Sequence, residues 1–365
     1  MTFSSRFGSL LLTRKDHARF LQNRVWLQNI LEDFSLEGVL EVPRVGVTPC
    51  VMIYGSSVAG TAFQDGDADY AIVFPLRSSF DDFSKIEKLT LTPSNFLEIR
   101  REYHQRVLSS ILQHIEKRSP SDDIKHERIF TARIPIIRLK RITNSEAEGI
   151  RFDVSLSLDG LRNSLLVRSY MESDPRLRAG VLCAKKWGRS KGILDARRGW
   201  ISPYALTVMY IFYMQTTERT VSVINETDID RKLFPIAAQL SGTTDTCCSE
   251  FIDVLPCREA KVSDVLDDLR GFFSFFGDCT KFDFDIDVVD IRTKDKWLSK
   301  EKWLGEMKMF SEKERWELLG YETIMVRDPF ESHNLGRSVD FFRAEEIRES
   351  FRLASQNSCE ELVNL

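Results

Sequence analysis

The chain has 365 residues, 42% of them apolar and 29% charged, with a net charge of −4 at neutral pH. That length suits two domains, and the near balance of charge excludes a whole-molecule field for nucleic acid or anionic membranes, so any phosphate contact must come from a local basic patch. No apolar run reaches the ~18 residues of a membrane span, and the scattered cysteines (Cys50, Cys183, Cys247, Cys248, Cys257, Cys279, Cys359) contain no CxxC pair, which argues for reduced intracellular thiols, against zinc, and for no disulfide-linked partner.

The first fifteen residues carry Arg6, Arg14 and Lys15, several serines and no acid. This composition suits an organelle-import segment and equally an N-terminal helix packed on the fold. From Leu10 to Phe34, the positions Phe20, Leu21, Trp26, Leu27, Ile30, Leu31 and Phe34 recur at helical spacing and predict an amphipathic helix. Glu37 to Pro49 reads as a connector. Val51 to Tyr54 reads as a buried strand, Gly55-Ser56 as a turn, and Asp67 and Asp69 open a second strand. Side chains alternate across a strand, so the two aspartates share one face while Ala68, Tyr70, Ile72 and Phe74 take the other, giving half a metal site. Phe96 to Ile115 reads as helix, Ser119 to Lys125 as loop, and Ile134 to Lys140 and Arg151 to Leu158 as further strands. On the last of these, Phe152, Val154 and Leu156 are apolar and leave Asp153 on the polar face.

From Asn163 onward the pattern turns helical. Asn163 is placed to cap a helix through Tyr170, Asp174-Pro175 and Ser202-Pro203 open two more, and Ser263-Asp264 opens Val265 to Phe276. Strands followed by a run of helices predict an α+β chain. Its expected parts are an N-terminal helical segment (1–45) packing on the second domain, a mixed-sheet domain (46–160) with a possible insertion at 76–120, and a mostly helical domain (161–365).

Three chemistries compete for the stretch from Gly55 to Asp69. A Walker A loop needs Lys at 61 and Ser or Thr at 62, where Thr61 and Ala62 stand. An EF-hand loop starting at Asp65 needs Gly and Glu where Tyr70 and Leu76 stand. The third reading is a nucleotidyltransferase site: strand, Gly-Ser, ten residues, Asp-x-Asp, then a third strand Asp at 153. Two divalent ions about 4 Å apart serve such a reaction, and bridging them takes carboxylates gathered on one rigid face. Without that context, Asp67 and Asp69 would be solvated strand-end residues.

The segment FDVSLSLDGLRNSLLVRSYMESDPRLRAGVLCAKKWGRSKGILDARRGWISPYALTVM and the later VRDPFESHNLGR resemble the noncanonical poly(A) polymerase and terminal uridylyltransferase family, within the DNA polymerase β-like nucleotidyltransferases. The resemblance runs from Val51 to Arg337 and is nearest to the trypanosomatid mitochondrial uridylyltransferases. It implies a catalytic domain and a base-recognition domain with the nucleotide site in the cleft between them. It further implies that Asp67, Asp69 and Asp153 hold Mg²⁺ or Mn²⁺, and that Asp153 helps to deprotonate an RNA 3′-hydroxyl. Gly55 and Ser56 would touch the β and γ phosphates, Lys185 and Arg189 would grip the triphosphate, and Ser164 would touch phosphate or base. Asn163 would read the ribose or the uracil edge, and Tyr204 would stack on the base. The same residues have plain readings as a helix cap, a solvated face and a core aromatic.

Two departures stand out. Relatives show Ser-Ser-Tyr where this chain has Ser202-Pro203-Tyr204, which passes a phosphate contact to Ser202 or to backbone amides. The segment Asp328 to Arg337 is one residue short, which unsettles the alignment of His333 with a base-discriminating histidine. Uracil N3 is a donor, so Asp328 and Glu331, acting directly or through water, would accept its proton and disfavour cytosine. Alternatively, Asp328 is a turn residue and Glu331 a surface acid. Arg133, Arg138, Lys140 and Arg141 are candidate RNA phosphate contacts or solvent-facing strand charges. The expected partners are UTP, an RNA 3′ end and a mitochondrial RNA-processing or editing complex, and the expected location is the mitochondrion.

Overall fold

The computed structural model describes residues 11–42, 47–76, 87–120, 122–143, 146–217, 221–242, 255, 259–293 and 297–356. The chain forms two units, a sheet unit drawn from 10–168 and 227–255 and a helical unit drawn from 169–226 and 256–365. The fold is α+β, as the sequence implied.

In the sheet unit, helix α1 (Arg14–Leu31) starts at a capping box, where the Thr13 hydroxyl accepts the Asp16 N–H and the Asp16 carboxylate accepts the Thr13 N–H at 3.0 Å. Its buried face carries Phe20, Leu27, Ile30 and Leu31. Asn23 donates to the Tyr70 hydroxyl at 3.3 Å, and Gln28 accepts the Val51 N–H at 2.8 Å while donating to the Pro49 carbonyl. Residues 14–31 are therefore part of the sheet unit, which corrects the expectation that this segment belongs with the helical domain. An apolar stripe shows that one face is buried, not against what. The short helix α2 (Glu37–Leu40) lies within the stretch read as connector.

Strands β1 (Cys50–Tyr54), β2 (Ala68–Pro75), β3 (Leu89–Leu91), β4 (Phe96–Ile99), β5 (Asp123–Ile129), β6 (Ile136–Thr143) and β7 (Glu146–Ser155) make one mixed sheet in the order β3-β4-β2-β7-β6-β5, with β1 also on β2. Among the described strands of this sheet, β2 and β7 pair in parallel and the other pairs are antiparallel. Three elements differ from expectation. Phe96 to Ile99 is strand, and the helix α3 starts only at Arg101 (Arg101–Arg118), because a short apolar run is ambiguous between the two periods. Strand β5 overlaps only the end of the expected loop at Asp123 to Lys125 and continues unread to Ile129, since its sequence DIKHERI lies at a solvent-exposed sheet edge and shows little apolar alternation. Helix α4 (Asp159–Ser173) begins four residues before Asn163, with the Arg162 N–H bonded to the Leu158 carbonyl at 3.0 Å, so Asn163 sits inside the helix and does not cap it. Beyond the helical unit's first portion the chain returns to the sheet unit, where Asp230 of a helix spanning Glu226–Gly242 takes two hydrogen bonds from Arg162 at 3.0 and 3.1 Å.

In the helical unit, α5 (Pro175–Ser190) and α6 (Pro203–Thr216) start as read, at Asp174 and at Ser202, whose hydroxyl accepts the Ala205 N–H at 2.9 Å. Every residue from Ala205 to Gln215 is buried, so α6 is a core helix with no polar face. The helix of Glu226–Gly242 is α7. Helix α8 (Val262–Gly277) opens at Lys261, slightly ahead of the expected Ser263. Its Phe272 meets Phe351 with ring centroids 5.5 Å apart, and its Phe273 meets Trp187 at 4.6 Å. A further core of Val288, Leu298, Trp303, Met307, Leu319 and Met325 lies under strands β8 (Asp287–Val288) and β9 (Leu298–Ser299) and helices α9 (Lys300–Glu306) and α10 (Glu312–Leu319). Helix α11 spans Phe341–Gln356.

Among the described residues Cys50, Cys183 and Cys279 are in no disulfide, and no helix is long and apolar enough to cross a membrane. Cys247, Cys248, Cys257, Cys359 and the basic N-terminal residues through Leu10 lie outside the described residues.

Candidate active site

Strand register assembles the acids of the sheet unit. Tyr54 of β1 stands opposite Asp69 of β2, and Asp69 stands opposite Asp153 of β7. Neighbouring strands lie about 4.8 Å apart, so two carboxylates distant in sequence share one rung and one face. Asp67, one residue before β2, joins that face. Its carboxylate meets the guanidinium of Arg151, two residues from Asp153, at 3.3 Å.

The Gly55 turn closes over this rung. Gly55 has φ +78°, and a Cβ there would overlap the Asp69 carboxylate, so only glycine allows so close an approach. Its N–H donates to Ser164 Oγ at 2.7 Å, and that hydroxyl donates to the Gly160 carbonyl at 2.5 Å, tying the turn to the first turns of α4. Ser164 is 5% exposed, and these two hydrogen bonds make it a brace for the turn. Ser56, whose carbonyl accepts the Thr61 N–H at 2.9 Å, and Asn163 are half-buried.

Asp153 is 7% exposed and takes two parallel hydrogen bonds from Arg138, at 2.8 and 2.7 Å. Such a fork is among the stronger ion-pair geometries. It holds the Arg138 guanidinium above its ordinary pKa. Burial, and secondarily the charge of Asp69, push the Tyr54 phenol up, which keeps it neutral beneath the acids. Among the described residues no three His, Cys, Asp or Glu side chains converge as a finished metal cage, and Arg138 and Arg151 pair with the two outer acids. The donor chemistry nevertheless fits a hard divalent cation, being all carboxylate oxygen on the ends of adjacent strands.

The other basic candidates divide. Arg141 lies 3.2 Å from Asp122 and 4.2 Å above the Trp26 ring. It and Arg138 thus have partners within the protein, which corrects the alternative that they are solvent-facing strand charges. Arg133 and Lys140 are half-buried.

The remaining candidates belong to the helical unit. Lys185 is 4% exposed on α5 and Arg189 exposed one turn later. Ser202 is the cap of α6 and Tyr204, half-buried, its second residue. Asp328 is 2% exposed, and its carboxylate accepts the N–H groups of Phe330 and Glu331 at 2.8 and 3.0 Å. These two bonds make it a brace of its turn. His333, also buried, has its imidazole 3.3 Å from Glu331 and 3.8 Å from Asp328. Glu331 is the partly exposed acid of the trio. Arg337 is half-buried.

Two residues that the sequence reading missed shape these sites. Tyr54 was read only as a strand residue, although its place beside Gly55 was a usable signal. Asn334 is fully buried: its carboxamide oxygen accepts from Val326 and Gly336 at 2.9 Å each and its NH₂ donates to the Leu319 carbonyl at 3.0 Å. No pattern in the sequence marks it.

Comparison with known proteins gives two family matches in order along the chain. Residues 3–172 match the poly(A) RNA polymerase, mitochondrial-like, central palm domain, and residues 268–334 match the Cid1 family poly A polymerase domain. Poly(A) RNA polymerase GLD2-A of Xenopus laevis is 27% identical over 232 residues, 62% of this chain and 41% of that protein. GLD2 of Danio rerio is 26% identical over 325 residues, 87% of this chain and 56% of that protein. The chain thus spans about half the length of the curated relatives it matches. Among solved structures, terminal uridylyl transferase 4 from Trypanosoma brucei with bound dUTP superposes with a TM-score of 0.68 at 17% identity, covering 98% of this chain and 97% of the other. The Cid1 poly(U) polymerase superposes with a TM-score of 0.63 at 20% identity, covering 97% and 91%. These similarities establish the shared fold.

Proposed function

Because this chain belongs to the noncanonical poly(A) polymerase and terminal uridylyltransferase family, we propose that it transfers UMP from UTP to the 3′-hydroxyl of an RNA. The observation that carries the transfer reaction is the rung on which Asp69 and Asp153 face each other beside the Gly55 turn. In the reaction the 3′-oxygen attacks the α-phosphorus, the bond from that phosphorus to the oxygen bridging to the β-phosphate breaks, and pyrophosphate leaves. The hydroxyl proton passes toward Asp153. Divalent cations held by Asp67, Asp69 and Asp153 would supply charge neutralisation for the triphosphate and acidify the attacking hydroxyl. The residues' own tasks are separable. Gly55 and Ser56 present backbone amides and a hydroxyl to phosphate, Tyr54 stays neutral and adds no charge beneath the acids, and Arg138 neutralises Asp153 when no cation does. Lys185 and Arg189 contribute positive charge for the triphosphate, and Tyr204 a ring face for the base.

Uridine selectivity is assigned to the Asp328–Arg337 loop. Glu331 accepts the uracil N3–H, with the His333 imidazole 3.3 Å from that carboxylate and Asp328, Asn334 and the turn hydrogen bonds holding the loop. A 3′-extension assay with each of the four nucleoside triphosphates tests this, with UMP incorporation expected. Preferential AMP addition would establish the second reading, a terminal adenylyltransferase of the same chemistry, which is favoured by the poly(A) RNA polymerase names of the sequence relatives. We place the activity in mitochondrial RNA processing or editing, a setting supported by the resemblance to mitochondrial uridylyltransferases and by the basic N-terminal composition. Imaging a tagged full-length protein tests it, and exclusion from mitochondria would refute it.

A further inference from the structure

Three strands place three cations in one row. Lys125 of β5 is directly opposite Lys140 of β6, and Lys140 is directly opposite Arg151 of β7. Opposed residues share a face, and residues two apart along a strand share it too. The next rung on that face is Glu127–Arg138–Asp153, continued by Asp69. The cation row therefore lies on the face of the catalytic acids, one step of about 7 Å along the strands.

The two rungs differ in charge logic. In the acid rung Glu127, Arg138 and Asp153 alternate in sign, and only the Asp153–Asp69 juncture carries like charges. In the cation row all members are positive, an arrangement that costs stability when like charges stand directly opposite. Arg151 is relieved by Asp67 at 3.3 Å. Lys125 and Lys140 have no acid within ion-pair distance among the described residues, although Asp123 and Glu127 flank Lys125 along its own strand. Lys125 and Arg151 are exposed and Lys140 is half-buried, its chain lying over Gly149. Phe152 and Leu139, one position along their strands, are fully buried on the opposite face.

We propose that Lys125, Lys140 and Arg151 form a phosphate-binding row for single-stranded RNA, gripping the backbone upstream of the 3′ nucleotide and leading it to Asp67 and Asp69. This rests on reading the chain as an RNA 3′-nucleotidyltransferase and assigns a binding track to that reaction. The row offers point charges and no base-reading groups, so it serves RNA of any sequence.

The test uses the full chain and a 5′-labelled ten-nucleotide RNA without secondary structure. In the K125Q/K140Q variant, anisotropy binding weakens about tenfold, and the slope of log affinity against log salt flattens by about 1.4, the value for two lost single-strand phosphate contacts. The KM for UTP is unchanged, a dinucleotide primer loses less than the ten-nucleotide RNA, and the melting temperature is unchanged or raised. The single variant K125Q shows half the change in slope. Wild-type RNA affinity and salt slope in K125Q/K140Q would overturn the proposal, as would a loss confined to UTP. Should the wild-type chain bind RNA through this row yet transfer no nucleotide, the proposed activity fails while the row stands.

Discussion

The sheet unit's acid rung and the helical unit's Asp328–Arg337 loop are built on opposite principles. The rung is made by strand register, and its carboxylates are held by guanidinium groups and a close glycine turn rather than by burial alone. The loop is made by inward-facing side chains: Asp328 and Asn334 are buried and bind five backbone groups between them. The lesson is that a carboxylate poised for chemistry and a carboxylate holding a loop look alike in sequence and differ in what satisfies them. Side chains of the rung should govern rate with little effect on folding, and those of the loop should govern folding first and base choice second.

The largest effect sharpens the first half of that contrast. Asp153→Asn keeps shape while removing charge, and is expected to lower the maximal rate of 3′ extension by about 10³-fold, the scale of several kcal/mol of transition-state stabilisation. Circular dichroism should be unchanged, and near-normal extension by this variant would refute the assignment of the acids.

Asn334→Ala probes the loop. It leaves the Val326 and Gly336 N–H groups and the Leu319 carbonyl without their buried partner, and should destabilise the helical unit by about 3 kcal/mol. Thermal unfolding checks this, and a normal melting curve with altered base choice would reverse the division of labour argued above. Glu331→Gln should cost less, reducing the preference for UTP over ATP about tenfold as a charged acceptor becomes a neutral one, measured as the ratio of kcat/KM values. An unchanged ratio moves selectivity away from this loop.

The smallest effect concerns the scaffold beneath the rung. His104 is buried with its Nε2 at 2.8 Å from the Ile99 carbonyl, and burial holds its pKa below the ordinary value. A depressed histidine contributes stability that is fully present above its unfolded pKa and is lost as pH falls through the folded one. The melting temperature should therefore decline below about pH 6.5, and His104→Gln should flatten that decline. If acid sensitivity persists unchanged, another group carries it.

Much of the acid site was legible beforehand. Gly55, the spacing of Asp67 and Asp69, and the polar-face position of Asp153 follow from alternation and from glycine's backbone freedom. The starts of α5 and α6 were readable because Asp174-Pro175 and Ser202-Pro203 act through bonds one to three residues away. Strand β5 was hidden because an exposed charged edge has little apolar period to detect, and Phe96 to Ile99 because four apolar-rich residues fit either period. The capture of Arg138 by Asp153, and of Arg141 by Asp122 and Trp26, could not be read, since a basic strand residue looks the same whether it faces solvent or an acid.

The sequence by itself determined which residues could hold phosphate and metal and where most helices begin, because these depend on side-chain chemistry and on near neighbours. Only the tertiary structure decided that Asp153 stands beside Asp69, that Lys125, Lys140 and Arg151 share one row, and that Asp328 turns inward. Register and facing are set by hydrogen bonds and packing between segments that are distant in the chain.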